Sequence, residues 1–98
     1  MRVLVVEDES RIREFISNGL AAEGIATQGA RSGAEAVDGS LSGHFDLVLL
    51  DLVLPGLSGL DALAQLQRER PELPVIVVSA RDDLSTKLRA FELGARTT

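Results

Sequence analysis

The chain is 98 residues long, 45% hydrophobic and free of cysteine, which bounds it to one compact domain with a single core and excludes disulfide staples and thiol chemistry. Its formal net charge is -5, and its 10 basic residues are scattered rather than gathered into a stripe, so direct nucleic-acid binding is not expected. No apolar run approaches membrane-spanning length and the first is too short for a signal-peptide core, so a cytoplasmic protein that leaves the membrane alone is expected.

Strand-like runs and stretches of helical period alternate along the chain, the pattern of a parallel α/β sheet. The first strand is predicted at residues 3–6 (Val-Leu-Val-Val) and is followed by Glu7-Asp8-Glu9. The next helix is predicted to turn Ile12, Phe15, Ile16, Gly19 and Leu20 toward the sheet and Arg11, Glu14 and Asn18 outward, closing at Glu23-Gly24. A second strand at residues 25–30 leads to a second helix near 32–41, expected to be short or frayed because Gly33, Gly39 and Ser40 lower its propensity. The third strand, residues 47–50, ends on Asp51, and Asp46 before it is expected to satisfy backbone groups at the strand start. His44, the sole histidine, is expected to be solvated.

A third helix over residues 60–69 has Leu60, Leu63, Ala64 and Leu66 as its buried candidates, and Pro71 stops it. Val75-Ile76-Val77-Val78 forms the fourth strand. A fourth helix near 83–93 follows, with Gly94 as its cap.

Two apolar strands thus deliver carboxylates at their C-terminal ends, the edge at which open parallel sheets place their ligands. Clustered carboxylates repel one another by about 4 kcal/mol per close pair at an effective dielectric of about 20. Glu7, Asp8 and Asp51 therefore read as a divalent-cation site, with magnesium the expected ion. Taken alone, Asp8 serves equally well as a helix cap, and Ser79 as a turn or cap residue. Asp51 is harder to explain structurally, because an unpaired carboxylate beside so apolar a strand is costly.

Four motifs in order, Val5-Val6-Glu7-Asp8-Glu9, Asp51-Leu52-Val53-Leu54-Pro55-Gly56, Val77-Val78-Ser79-Ala80-Arg81 and Glu92-Leu93-Gly94-Ala95, resemble the receiver domain of bacterial two-component response regulators, the OmpR type above all. The resemblance covers nearly the whole chain. It implies a flavodoxin-like doubly wound parallel sheet of order 2-1-3-4, with residues 1–98 forming a single receiver domain that stops before the family's fifth strand and fifth helix. It further implies that Asp51 is the phosphoacceptor and that magnesium is held by Glu7, Asp8, Asp51 and the backbone carbonyl of Val53. Ser79 matches the switch hydroxyl, and the implied partner is a sensor histidine kinase. Such a domain assists its own phosphorylation without being an enzyme in the turnover sense.

The chain departs from the family pattern in ending at Arg96-Thr97-Thr98, before the family's lysine; Lys87, on the predicted fourth helix, does not match that lysine. Impaired signalling is the expectation, with a non-catalytic, receiver-like interaction or dimerisation module as the alternative. An empty fifth position would leave residues 75–78 as a bare edge strand, which predicts a homodimer paired through that edge. A haloacid-dehalogenase-type phosphatase needs a second acid where Val53 stands, and a dinucleotide enzyme needs glycines where Glu7-Asp8-Glu9-Ser10 stands.

Overall fold

The computed structural model describes residues 1–51, 59–77 and 96–97. Its elements run β1 (Arg2–Val6), α1 (Ser10–Ala22), β2 (Ala26–Ala30), α2 (Gly33–Ser42), β3 (Leu47–Leu50), α3 (Gly59–Glu69), β4 (Val75–Val77) and β5 (Arg96–Thr97). All strand pairs are parallel, and the sheet order is β2-β1-β3-β4-β5. The predicted 2-1-3-4 order is therefore present, in a doubly wound α/β sheet.

Central strands in such a sheet are buried on both faces, which is why β1 reads as an unbroken apolar run. Val3, Leu4, Val5 and Val6 are all at most 1% exposed. Alternation turns Leu4 and Val6 to the side where Ala36 and Val37 of α2 and Leu63 and Leu66 of α3 close the main core with Phe45, Val48, Leu50, Leu73, Val75 and Val77. Val3 and Val5 face the α1 side. At the N-terminal edge of the sheet, the Asp46 carboxylate accepts from the Arg2 backbone N–H at 2.8 Å, and the Asp46 N–H donates to the Arg2 carbonyl. That is the backbone role expected of Asp46.

Three expectations need correction. The fifth position is not vacant, because Arg96 and Thr97 pair with Ile76 and Val77. An edge strand offers a row of unpaired backbone groups, and two residues suffice to engage it, whereas a two-residue strand is too short to show a period in sequence. Since β4 is paired on this side, the expected homodimer through a bare fourth-strand edge loses its basis. Second, α1 contributes no fully buried residue, and Phe15 is 80% exposed. Its half-buried row is Arg13, Ile16, Ser17 and Leu20, turned by about a residue from the apolar stripe. The strand beneath is Ala-Thr-Gln-Gly-Ala, too small and polar to reward burial of a phenyl ring. Third, α2 is a continuous ten-residue helix rather than the short or frayed one expected. The Ser32 hydroxyl caps it by accepting from the Glu35 N–H at 3.2 Å, and Ala36, Val37 and Ser40 anchor it in the core, which outweighs the glycine propensity.

In α3 the buried residues are Gly59, Ala62, Leu63 and Leu66, so Ala62 takes the inward place expected of Ala64. The predicted fourth helix and Val78 lie outside the described residues. Among the described residues, no helix is long and apolar enough to cross a membrane.

Candidate functional site

The β1–β3 ladder is in register, with Val6 opposite Leu50. The residues that leave these strands, Glu7 and Asp51, therefore emerge side by side at the C-terminal edge. Hydrogen bonds carry the sheet one step further: the Asp51 N–H donates to the Val6 carbonyl at 3.0 Å, and the Glu7 N–H donates to Ala30 of β2 at 3.0 Å. Asp8 follows Glu7 in the turn into α1. Carboxylate oxygens of Glu7, Asp8 and Asp51 all lie within 4.8 Å of one another. Glu7 is buried, Asp51 half-buried and Asp8 exposed, so the cluster runs from the sheet edge out to solvent.

Glu7 carries the electrostatic cost of this arrangement. Burial pushes its carboxyl up from 4.5 to about 8, helped by the hydrogen bond and charge of Asp51 and by a hydrogen bond with Asp8. The Glu9 N–H, donating to Glu7 Oε1 at 3.2 Å, pulls weakly the other way. Three hard oxygen donors, one of which resists ionising without a counter-charge, fit a small divalent cation such as magnesium. Thiol- or imidazole-preferring metals find no suitable donor in this cluster.

A carboxyl whose pKa rises on folding binds its proton more tightly in the native state. It therefore supports the fold below about 4.5 and withdraws that support as pH rises through about 8. In chelator, the melting temperature is expected to fall as pH is raised from 5 to 8, and Glu7→Gln is expected to flatten that slope. Differential scanning calorimetry across this range checks it; a parent slope unchanged by Glu7→Gln would remove Glu7 as the cause.

Of the site residues expected from sequence, the structure brings Glu7, Asp8 and Asp51 together. Val53 and Ser79 lie outside the described residues, as does Lys87. Asp8 is not the cap of α1: the N-cap position belongs to Glu9, which makes no side-chain cap hydrogen bond. His44 is exposed, as expected.

Sequence reasoning missed Arg13. Its Nη1 donates to the Glu7 backbone carbonyl at 2.7 Å, while its stem crosses Gly29 of β2. One signal was readable: a glycine inside a strand pattern marks a place where another group comes close.

The same fold recurs in known proteins. The chain belongs to the response regulator receiver domain family, which it matches over residues 3–98. It is 39% identical over 93 residues to the uncharacterized transcriptional regulatory protein YkoG of Bacillus subtilis, covering 95% of this chain and 41% of that protein. It is 36% identical over 95 residues to the response regulator MprA of Mycobacterium avium, covering 97% of this chain and 42% of the relative. The chain thus spans about two fifths of the length of these curated relatives. Among solved structures, the response regulator TrrA of Thermotoga maritima, in complex with Mg(2+)-BeF, superimposes with a TM-score of 0.89 at 32% identity. That match covers 99% of this chain and 84% of TrrA.

Proposed function

We propose that this chain is the phosphoacceptor receiver of a transcriptional response regulator, taking a phosphoryl group from a sensor histidine kinase onto Asp51 in the cytoplasm. The observation that carries the reading is the meeting of Glu7, Asp8 and Asp51 within 4.8 Å where two adjacent parallel strands end. The names of its relatives and the Mg(2+)-BeF complex of TrrA support it. Residues 1–98 serve as one receiver domain, and DNA contact is not their role, given the net charge of -5.

An Asp51 oxygen attacks phosphorus, the bond from phosphorus to the donor's imidazole nitrogen breaks, and that nitrogen leaves with the electron pair. Carboxylate and phosphoryl group are both anionic, so a bound magnesium ion supplies the charge screening the approach requires. Glu7 and Asp8 would hold the ion together with Asp51, and the resemblance to the family would add the Val53 carbonyl to the protein's ligands. Ser79 meets a phosphoryl oxygen of the product and couples it to the switch. The ordered ladder bonds at Asp51 and Glu7 keep both groups aimed without reorganisation. The result is a self-assisted modification rather than enzymatic turnover.

Magnesium that binds only the native state stabilises it by mass action, by about 1.4 kcal/mol at ten times its Kd. A rise of several degrees in melting temperature is therefore expected across millimolar magnesium at pH 7.5, and Asp8→Asn is expected to suppress it. Thermal melts with and without chelator test this. A parent melt indifferent to magnesium would defeat the reading.

A further inference from the structure

Arg13 sits on the inward row of α1, where the apolar stripe would have placed a hydrophobic side chain. The residue is half-buried, and its guanidinium reaches back to the end of β1. Nη1 donates to the main-chain carbonyl of Glu7 at 2.7 Å, six residues back and just past the end of β1. To reach it, the stem lies flat on β2 at Gly29. A Cβ at residue 29 would stand 2.9 Å from Arg13 Cδ, 3.2 Å from Nε and 3.5 Å from Cγ. Among the described residues only Gly24 has a positive φ, 79°, so nothing in the backbone at residue 29 demands glycine. The demand comes from the arginine.

The bonded carbonyl belongs to the peptide unit that joins Glu7 to Asp8. Fixing its plane fixes the direction in which both acids leave the chain. The Glu7 N–H is already tied to the Ala30 carbonyl at 3.0 Å, so with Arg13 in place the Glu7 backbone is held from both sides. Without that donor the peptide between the acids can rotate, and mutual repulsion of the carboxylates favours turning Asp8 away. Groups that orient a metal's ligands from behind typically affect affinity by about 10- to 100-fold.

We propose that Arg13 is a positioning residue for the acidic site, and that Gly29 is the slot that lets it lie across β2 and latch the Glu7–Asp8 peptide. The proposal rests on the reading of that site as a magnesium site. It assigns Arg13 no contact with the metal or the phosphoryl group.

Gly29→Ala is the discriminating variant. It leaves the charge of the chain unchanged, suits a strand better than glycine and reduces the freedom of the unfolded chain, so metal-free stability should hold or rise. Cδ of a flexible side chain is what must yield, and its shift away from residue 29 is expected to draw Nη1 off the Glu7 carbonyl. Magnesium Kd, read from NMR amide-shift titrations, is expected to rise about tenfold, and the metal-free amide signal of Asp8, which follows the latched carbonyl, is expected to shift. Arg13→Gln removes a positive charge, which by itself would tighten cation binding, yet it is expected to weaken binding in the same direction by a smaller factor. The double variant should match Arg13→Gln alone, because the methyl group added at position 29 then has no arginine to displace.

A Gly29→Ala protein that binds magnesium like the parent, or losses that multiply in the double variant, would overturn the latch while leaving the site reading intact. A parent that takes up no magnesium would overturn the site reading and the latch together.

Discussion

Asp51→Asn is expected to abolish phosphoryl uptake from a small acyl-phosphate donor, and Ser79→Ala to leave it largely in place. Asparagine keeps the size and the position at the end of β3 but replaces an anionic oxygen with an amide, so it can neither attack phosphorus nor help hold a cation. Glu7 and Asp8 remain beside it as carboxylates, and that makes the test demanding. If any acid at this edge could accept the group, the variant would still be labelled. In the proposed reading Asp51 alone has that role, with Glu7 and Asp8 on the β1–α1 turn as the groups that would hold the cation, and the buried, raised Glu7 carboxyl is the poorer nucleophile of the pair at the strand ends. Ser79 is assigned contact with the product, so its loss should alter the response to phosphorylation more than the modification itself. Incorporation is read by intact mass; labelling of Asp51→Asn at the parent's level would refute the nucleophile assignment.

The largest loss of stability is expected from Leu4→Ala. Leu4 is 0% exposed in β1, on the face closed by α2 and α3, and its removal leaves a cavity that a sheet between two helices cannot collapse to fill. Such truncations cost about 2 to 5 kcal/mol, against a total stability of about 5–15 kcal/mol for a domain of this kind. At about 4–8 °C per kcal/mol for a domain of this size, the melting temperature should drop by about 10 °C or more. Phe15→Ala is the contrasting case. The ring is 80% exposed, so the change should stay within about 0.5 kcal/mol despite the larger side chain. Urea unfolding of both variants decides between this picture and the one in which Phe15 belongs to the core.

That contrast marks where the sequence was legible. Strands buried on both faces announce themselves as unbroken apolar runs, so β1, β3 and β4 and the acids that follow β1 and β3 could be located without coordinates. The strand order came from the resemblance to the receiver family, and the shared C-terminal edge of a parallel sheet was enough to expect Glu7 and Asp51 to meet; the register that sets them side by side is seen only in the structure. The facing of α1 was not legible, because periodicity reports which residues are apolar and not what lies underneath. Beneath α1 lies a strand of small polar residues, and the helix settles with Arg13 inward and Phe15 outward. Ala62 displaced Ala64 in α3 for the related reason that two small residues on adjacent rows cannot be ranked by pattern. Two-residue β5 was unreadable because it owes its conformation to the waiting edge of β4 rather than to its own residues. Arg13 was not legible because an arginine on a helix is usually solvated, and its path shows only against Gly29 on another element.

The elevated Glu7 carboxyl joins the fold to the proposed chemistry. Packing places an acid where it does not ionise readily alone, and a cation that releases its proton gains from the same burial that penalises the empty site. Stabilisation by magnesium should therefore grow as pH rises toward 8, the opposite trend to metal-free stability.

The central claim is that Asp51 accepts a phosphoryl group in a site that uses a divalent cation. The most direct measurement is intact mass with fragment mapping of the parent chain after incubation with an acyl-phosphate donor, in magnesium and in chelator. One added phosphoryl group, located on Asp51 and present only with magnesium, is the predicted result. A chain that stays unmodified in magnesium, or one modified equally in chelator or on a different residue, would contradict the account.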